Sequence, residues 1–162
     1  MKGLLYMKAV FFDRDNTLVI DTNYMHKVED LCFFDETFST LKELSKRGYQ
    51  LFIVTNQSGI GRGFYTEEDM HKFNKAMISA LEAEGIKITD LVFCPHTPEQ
   101  DCDCRKPHPK MILNLCEKYS VDKSKSYMVG DKKSDLLAGE SAGIHGIVLK
   151  PGDIALCLDY IA

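Results

Sequence analysis

Residues 11–19 read FFDRDNTLV, and the mostly apolar run MKAV at residues 7–10 leads directly into them. The run predicts a short β-strand, and strand geometry places side chains i and i+2 on the same side. Asp13 and Asp15 are therefore expected to face one pocket at the carboxyl end of that strand, where open α/β sheets bind ligands. A carboxylate there can attack phosphorus while its neighbour handles the leaving-group proton. Asp-x-Asp also caps turns in many proteins, so the pair alone leaves both interpretations open.

The composition is typical of a single globular domain. The 162 residues are 44% hydrophobic, which predicts one compact domain over residues 1–162. The net charge of −4 argues against a nucleic-acid-binding protein, which usually needs a basic face. The sequence contains no apolar stretch suited to a membrane span, and residues 1–7 are too short for the core of a signal peptide. We therefore expect a cytoplasmic protein without nucleic-acid or membrane partners.

Short apolar runs alternate with helical patterns along the chain. The runs predict strands at residues 8–12, 50–55, 90–94, 126–129 and 145–149. Apolar spacing predicts helices at residues 36–46, 66–84 and 109–119, and a shorter segment rich in small residues predicts a helix at 134–142. This alternation indicates βαβ units, and we predict a three-layer α/β/α Rossmann-like domain with a parallel sheet. The loops at residues 20–35 and 95–105 are too short to form a cap domain, so the active site is expected to open to solvent.

Polar segments follow three more of the predicted strands, and each has two interpretations. Residues 54–59 read VTNQSG, whose hydroxyl, amide and turn N–H groups suit phosphate oxygens or make a polar turn. Residues 105–107 read RKP, a basic pair for the same pocket or a solvated surface charge. Residues 129–135 read VGDKKSD, which supplies two more carboxylates or a helix N-cap at Ser134 or Asp135. Their order along the chain carries more information than any one of them.

That order resembles the haloacid dehalogenase (HAD) superfamily of phosphotransferases over nearly the whole chain. The resemblance implies that Asp13 is the nucleophile and Asp15 the general acid/base. It also implies that Thr55 binds the transferring phosphoryl group. Lys106 would neutralise the phosphoryl group and the nucleophile, which is what two approaching anions require.

The same resemblance implies a magnesium site. Mg²⁺ would be held by the carboxylates of Asp13 and Asp131 and by the backbone carbonyl of Asp15. Asp135 would be a carboxylate farther from the cation. Oxygen ligands of this kind suit a hard cation.

Three of the six cysteines lie within residues 94–104, which read CPHTPEQDCDC. Three thiolates and one imidazole are a familiar tetrahedral structural zinc set, and free thiols are the alternative. The predicted Zn²⁺ ligands are Cys94, His96, Cys102 and Cys104. The metal would hold in place the loop that carries Arg105 and Lys106. The remaining cysteines, Cys32, Cys116 and Cys157, are expected to pack as small apolar residues.

The string CxH…CxCRKP resembles one HAD branch, which contains heptose-bisphosphate phosphatases and histidinol-phosphate phosphatases. Residues 21–24 (DTNY) and 55–63 (TNQSGIGRG) resemble the heptose-bisphosphate enzymes, whereas the short zinc loop is closer to the histidinol-phosphate branch. The resemblance to the heptose-bisphosphate enzymes implies substrate contacts from Asp21, Tyr24, Thr55, Asn56, Gln57, Ser58, Arg105, Lys106 and Lys132.

Two positions depart from the pattern. Asn16 stands where the family usually has glycine, and because asparagine tolerates the left-handed conformation, the turn is expected to survive. Lys110 replaces a glycine common in the heptose branch and is expected to add a cation near the pocket.

The resemblance thus implies a Mg²⁺-dependent sugar phosphatase with a structural Zn²⁺. It would act on D-glycero-D-manno-heptose 1,7-bisphosphate through an aspartyl-phosphate, and histidinol phosphate is the alternative substrate. A receiver-like signalling domain, which is also phosphorylated on an aspartate, is a remote alternative because the Asp13/Asp15 pair and the zinc loop count against it. A small sugar phosphate is the only partner expected, and the protein is expected to be a monomer.

Overall fold

The computed structural model describes residues 5–162, which contain one five-stranded parallel sheet. The strands are β1 (Ala9–Phe12), β2 (Gln50–Asn56), β3 (Asp90–Cys94), β4 (Tyr127–Gly130) and β5 (His145–Val148). Their order across the sheet is β3-β2-β1-β4-β5, so the first strand of the chain lies at the centre. Every predicted strand is present, with its ends within one residue of the predicted ones.

The helices cover both faces of the sheet. They are α1 (Thr37–Lys46), α2 (Ser58–Gly61), α3 (Glu67–Ala83), α4 (Lys110–Tyr119) and α5 (Lys133–Ser141). Short 3₁₀ helices lie at Val28–Asp30, Lys123–Lys125 and Ile154–Asp159. The four predicted helices are confirmed within one residue at each end. The single turn α2 was not predicted, because a helix of four residues is too short to show apolar periodicity.

The side chains of β1 point alternately to the two faces of the sheet and contribute to a separate core on each face. Val10 and Phe12 are fully buried in a cluster that includes side chains of α1 and α3. Ala9 and Phe11 are fully buried in a second cluster, which includes side chains of α4 and α5. The predicted three-layer α/β/α fold is therefore confirmed.

Two helix starts show how local sequence sets the element boundaries. Thr66 caps α3: its Oγ1 accepts from the Asp69 N–H at 3.1 Å, and Asp69 Oδ2 accepts from the Thr66 N–H at 2.9 Å. At α5 the predicted N-cap was wrong, because Lys132, rather than Ser134 or Asp135, has the extended backbone that precedes the helix. Asp135 instead reaches back, and its Oδ2 accepts from the Lys132 N–H at 3.1 Å.

Cys32 corrects another expectation, because its side chain is exposed rather than packed. Residues 31–33 alternate like a strand, and Leu31 and Phe33 turn towards the core, so the side chain between them points outwards. Cys116 and Cys157 are buried as expected.

Residues 1–4 lie outside the described residues, and with them most of the N-terminal segment that we expected to be too short for a signal peptide. Between residues 5 and 162, no helix combines the length and apolar character that crossing a bilayer requires.

Candidate active site

The carboxyl ends of three neighbouring strands meet at one edge of the sheet. Phe12, the last residue of β1, is in register with Ile53 of β2 and Val129 of β4. The backbone N–H of Asp13 continues the ladder by donating to the Val129 carbonyl at 3.0 Å. The polar residues that follow these strands therefore converge, and a cavity of about 270 Å³ opens there.

Ten of the residues predicted for catalysis or substrate binding line this cavity. They are Asp13, Asp15, Asp21, Tyr24, Asn56, Gln57, Ser58, Arg105, Lys106 and Lys132. Two other predicted residues, Thr55 and Asp131, are not among those that line it. Thr55 is fully buried, and its Oγ1 accepts from Gln57 Nε2 at 2.8 Å. Asp131 lies beside Asp13 and Asp135.

Lys106 joins the segments at the base of the cavity. Its ammonium group donates to Asp13 Oδ1 at 2.8 Å, to Asp135 Oδ1 at 2.7 Å and to the Val54 carbonyl at 2.7 Å. Lys106 carries three donor protons, so these contacts use all of them. One cation therefore neutralises part of the charge of two buried carboxylates.

Asn56 fixes the backbone of Lys106. Its Oδ1 accepts from the Lys106 N–H at 3.0 Å, and its Nδ2 donates to the Lys106 carbonyl at 3.1 Å. This reciprocal pair connects the end of β2 to the loop that follows β3 and sets the position from which the lysine side chain enters the site.

Burial shapes the electrostatics of the site. It raises the pKa of Asp13 to about 7, although Lys106 opposes the shift. Burial also raises the pKa of Asp131. For Lys106, burial lowers the pKa, but Asp13 and Asp135 more than compensate, and its pKa lies above the usual value. The site thus concentrates carboxylates in a place where a further cation would stabilise their charged forms.

Three carboxylates form a candidate cation site. Oxygen atoms of Asp13, Asp131 and Asp135 all lie within 4.8 Å of one another. Asp131 Oδ1 is buried and has no hydrogen-bond partner among residues 5–162. A buried carboxylate oxygen without a partner is costly, and a hard cation with oxygen ligands would satisfy it. The donor set therefore fits Mg²⁺.

Another part of the cavity lining comes from loop 20–35 and from the turn after α2. Burial and the neighbouring Asp15 raise the pKa of Asp21, which is partly buried. The Tyr24 ring packs edge-on against the Phe64 ring, with centroids 4.8 Å apart. The Arg62 guanidinium lies 5.8 Å from the centroid of the Tyr24 ring. This side offers aromatic surface and positive charge at the mouth of the cavity.

The predicted zinc ligands come together beside the site. Sγ of Cys94 lies 3.3 Å from His96 Nδ1, 3.8 Å from Cys102 Sγ and 3.0 Å from Cys104 Sγ. Tetrahedral zinc bonds of about 2.3 Å to sulfur place two sulfur ligands roughly 3.8 Å apart. The distance between the Cys94 and Cys102 sulfurs matches this spacing, whereas the Cys94 and Cys104 sulfurs lie closer together. Three thiols and one imidazole nitrogen are the ligand types of a structural Zn²⁺ ion.

The environments of two of these thiols differ. Burial raises the pKa of Cys94 to about 12. Burial also acts to raise the pKa of Cys102, but backbone N–H groups of Arg105 and Cys104 outweigh it, and its pKa is lowered. The zinc loop also contacts the cavity directly, since Arg105 Nη1 donates to the His96 carbonyl at 3.3 Å.

Lys110 corrects an expectation from the sequence, because it is not one of the residues that line the cavity. Its ammonium group lies 2.7 Å from Asp103 Oδ2 on the exposed side of the zinc loop. The nearby carboxylate attracts it away from the pocket, so it adds no positive charge there.

Sequence reasoning missed several residues of the site. Cavity-lining residues without a predicted role are Asn16, Asn23, Gly59, Arg62, Tyr65 and Ser134. The left-handed turn at Asn16 is confirmed, with φ of 61°. Arg14 was also missed, because nothing in its local sequence shows that this charged side chain is buried. Tyr65 has no local signal either, because it reaches the site through the turn between α2 and α3.

Comparison with known proteins assigns this arrangement to a family. Residues 8–144 match the family described as polynucleotide kinase 3 phosphatase. The chain is 42% identical over 148 residues to D-glycero-beta-D-manno-heptose-1,7-bisphosphate 7-phosphatase of Pasteurella multocida, covering 88% of this chain and 80% of that protein. It is 41% identical over 145 residues to D-glycero-alpha-D-manno-heptose-1,7-bisphosphate 7-phosphatase of Photorhabdus laumondii. This match covers 85% of this chain and 79% of that protein.

A solved structure shows the same architecture. The D,D-heptose 1.7-bisphosphate phosphatase from B. bronchiseptica, complexed with magnesium and phosphate, superposes with a TM-score of 0.83. The two chains are 26% identical, and the match covers 96% of this chain and 89% of the other. The chain therefore belongs to the polynucleotide kinase 3 phosphatase family, among the HAD-type phosphatases that its heptose-bisphosphate 7-phosphatase relatives represent.

Proposed function

We propose that this protein is a Mg²⁺-dependent phosphatase that removes a phosphate from D-glycero-D-manno-heptose 1,7-bisphosphate. The observation that carries the proposal is the buried Lys106 ammonium group between Asp13 and Asp135. Beside it lies an Asp131 oxygen that has no hydrogen-bond partner within residues 5–162. The similar proteins described above are heptose-bisphosphate 7-phosphatases, which favours this substrate over histidinol phosphate. The product would serve the synthesis of nucleotide-activated heptose.

The first displacement uses both aspartates of the β1 end. A carboxylate oxygen of Asp13 attacks phosphorus, and the bond between phosphorus and the sugar oxygen breaks. Asp15 gives a proton to that leaving oxygen, so the sugar departs as an alcohol. The phosphoryl group remains on Asp13 as an aspartyl-phosphate.

The second displacement regenerates the enzyme. Asp15, now a carboxylate, takes a proton from water as the water oxygen attacks phosphorus. The bond between phosphorus and the Asp13 oxygen breaks and releases inorganic phosphate. Lys106 stays within hydrogen-bond distance of Asp13 and offsets the charge of the transferring group in both steps.

Mg²⁺ would be held by Asp13, Asp131 and the carbonyl of Asp15, with Asp135 close by. When bound, it would neutralise the negative charge that keeps a carboxylate and a phosphate ester apart. Asp135 is engaged by Lys106 and by the Lys132 N–H, and we assign it the role of orienting the lysine.

The remote part of the substrate would lie against the mouth of the cavity. Arg105 and Lys132 supply positive charge for the second phosphate, and Asp21 can accept hydrogen bonds from sugar hydroxyls. Tyr24 adds an aromatic surface. Ser58 offers a hydroxyl group near the first turn of α2. Substrate binding by these side chains is part of the proposal.

Zn²⁺ would be structural in this enzyme. Its four protein ligands leave no open coordination position, and Arg105 contacts the His96 carbonyl. The metal would therefore hold the loop that carries Arg105 and Lys106. The proposal includes a single domain over residues 1–162, a monomeric state and a cytoplasmic location, where the zinc thiols would escape disulfide formation.

Steady-state phosphate release in the presence of Mg²⁺ tests the substrate. The α and β anomers of the heptose 1,7-bisphosphate are compared with histidinol phosphate, and ³¹P NMR identifies which phosphate leaves. We expect kcat/KM for a heptose bisphosphate to exceed that for histidinol phosphate by at least about 10²-fold, with loss of the 7-phosphate.

Two controls separate binding from chemistry. Asp13→Asn should abolish release from every substrate, which confirms that the activity belongs to this site. Arg105→Ala should raise KM for the bisphosphate far more than for a monophosphate. A preference for histidinol phosphate would overturn the substrate while leaving the phosphatase chemistry in place.

A further inference from the structure

We propose that Arg14 is a positioning residue that holds the Asp15 carboxylate in the orientation needed for proton transfer. The inference rests on the proposed function, because it concerns the residue assigned there as general acid/base. It adds a role for a buried side chain that does not line the cavity.

Arg14 is a fully buried arginine, with no part of its side chain accessible to solvent. Its Nε donates to Asp15 Oδ1 at 2.8 Å, and its Nη2 donates to Asp15 Oδ2 at 3.1 Å. This two-point contact fixes the plane of the carboxylate as well as its distance. A lysine in the same place could provide the charge but not the second, parallel hydrogen bond.

Arg14 is itself held from several sides. Its Nη1 donates to Asn74 Oδ1 at 2.9 Å, and its guanidinium carbon lies 4.5 Å from the centroid of the Phe73 ring. Its Nη2 also donates to the carbonyl of Met25 at 3.3 Å. Asn74 and Phe73 belong to α3, and Met25 belongs to loop 20–35. The guanidinium therefore links Asp15 to a rigid helix and to the loop proposed to bind the sugar.

Gln57 completes the arrangement. Its Oε1 accepts from Arg14 Nη2 at 3.2 Å and from the Tyr65 hydroxyl at 2.5 Å. Its Nε2 donates to Asp15 Oδ2 at 3.2 Å and to Thr55 Oγ1 at 2.8 Å. Both polar atoms of this buried amide thus serve the network, which identifies the contribution of Gln57 as support for Asp15.

The contacts distinguish the two oxygens of Asp15. Oδ2 accepts from Arg14 and from Gln57, whereas Oδ1 accepts from Arg14 alone among the residues that the structure describes. A carboxylate oxygen can accept about two hydrogen bonds, so Oδ1 keeps a free lone pair. The side chain of Asp15 is 24% exposed and lines the cavity. We assign Oδ1 as the atom that carries the proton to and from the substrate.

This role has a kinetic signature that general destabilisation lacks. A weakly basic leaving group departs with little help from an acid, whereas a strongly basic one needs protonation in the transition state. Misplacing the acid therefore slows phenyl phosphate more than 4-nitrophenyl phosphate. Partial unfolding lowers the amount of active enzyme and slows both substrates equally.

The test uses Arg14→Lys and a series of substituted phenyl phosphates, with Mg²⁺ and Zn²⁺ present throughout. We expect kcat/KM for phenyl phosphate to fall about 10- to 100-fold more than kcat/KM for 4-nitrophenyl phosphate. Asp15→Asn should show the same preference more strongly. An equal fall on all substrates in Arg14→Lys, when Asp15→Asn shows the preference, would overturn the positioning role alone.

Asp15→Asn also isolates the proposed function. If that variant shows no dependence on the leaving group, the general acid assignment fails, and the inference fails with it. Arg47→Lys is a matched control, since Arg47 donates to Glu43 and to the carbonyls of Leu158 and Ile161 far from the cavity. It should change stability without changing the leaving-group dependence.

Asn74→Ala extends the test in case Arg14→Lys does not fold. It keeps Arg14 and Asp15 but removes the acceptor of Arg14 Nη1. We expect it to shift the leaving-group dependence in the same direction by about 3- to 10-fold. A folded Asn74→Ala enzyme with the dependence of the unaltered protein would overturn the proposal that α3 holds Arg14 in position.

Discussion

Lys106 Nζ lies 2.8 Å from Asp13 Oδ1, although 93 positions separate the two residues in the chain. The lysine reaches this point because Asn56 holds its backbone and Val54 accepts one of its protons. Lys106 Nζ also donates a hydrogen bond to Asp135 Oδ1 at 2.7 Å. A single buried cation thus connects the residue after β1, the strand β2 and the first turn of α5, and its removal should affect both chemistry and stability.

Replacing this cation tests both effects. Lys106→Met keeps most of the side-chain volume but leaves two buried carboxylates without their partner. We expect a loss of about 3–5 kcal/mol in the free energy of unfolding and a fall in kcat of at least about 10²-fold. Chemical denaturation measures the free energy of unfolding, and the rate of phosphate release gives kcat. Lys110→Met, which breaks a surface pair, should leave kcat unchanged; an equal fall in both variants would contradict the assignment.

Asp13→Asn should abolish turnover while preserving the fold. The amide has nearly the same shape as the carboxylate but cannot form an acyl-phosphate, and we expect kcat to fall by at least about 10⁴-fold. Circular dichroism should still show the α/β spectrum of the unaltered protein. Near-normal phosphate release by a folded Asp13→Asn protein would rule out the covalent mechanism.

Asp131→Asn should weaken the response to Mg²⁺. Its buried Oδ1 has no partner in the described part of the chain, and an amide oxygen is a poorer ligand than a carboxylate. We expect the Mg²⁺ concentration for half-maximal activity to rise by at least about 10-fold, the scale of losing even an outer-shell contact. Titration of activity with Mg²⁺ measures the shift. The zinc content should not change, and an unchanged Mg²⁺ response would exclude Asp131 as a ligand.

Gly130→Ala should damage the site without touching the cavity. A Cβ at this position would lie 2.2 Å from Asp135 Oδ2 and 2.4 Å from Asp135 Cβ, so Asp135 must move away from Lys106. We expect lower stability and at least about a 10-fold loss of kcat. Gly85→Ala is the matched control: it meets no atom within 4 Å, has φ of 77°, and lies far from the site. The control should lower stability alone, and an unchanged kcat in Gly130→Ala would contradict the role of Asp135.

Cys102→Ser should release zinc. A serine hydroxyl does not provide the thiolate that the ion prefers, and the loop carrying Arg105 would lose its anchor. We expect near-stoichiometric zinc in the unaltered protein, little zinc in the variant, and a raised KM for the bisphosphate. Mass spectrometry of the metal content measures the first effect. Cys32→Ser removes an exposed cysteine outside the cluster and should retain zinc; zinc retained in Cys102→Ser as well would refute the site.

The strands and long helices were predictable because the signals that form them are local. Within residues 5–162, all five strands and three of the five α-helices follow from apolar patterns in short windows of sequence, and α5 coincides with the segment rich in small residues. The capping of α3 by Thr66 could also be read from neighbouring residues. The start of α5 could not be predicted in this way. Lys132 is its N-cap because its backbone is extended and its N–H donates to Asp135 Oδ2.

The residue types of the site could be named from the sequence, but their contacts could not. The motifs indicated Asp13, Lys106 and Asp131 as a catalytic set and the CxH…CxC string as a zinc set. Nothing local showed that Asn56 would hold the lysine backbone. Nothing local distinguished Arg14, which is buried, from Lys110, which turns to a surface carboxylate.

The sequence by itself determined the order of strands and helices along the chain, the position of Asp13 directly after β1 and the side-chain types available as metal ligands. These follow from backbone periodicity and side-chain chemistry, which act over a few residues. Only the tertiary structure decided which distant groups became partners: Lys106 with Asp13 and Asp135, and Arg14 with α3. Those pairings depend on strand register and burial, because an ion pair has its full strength only where folding excludes water around both charges.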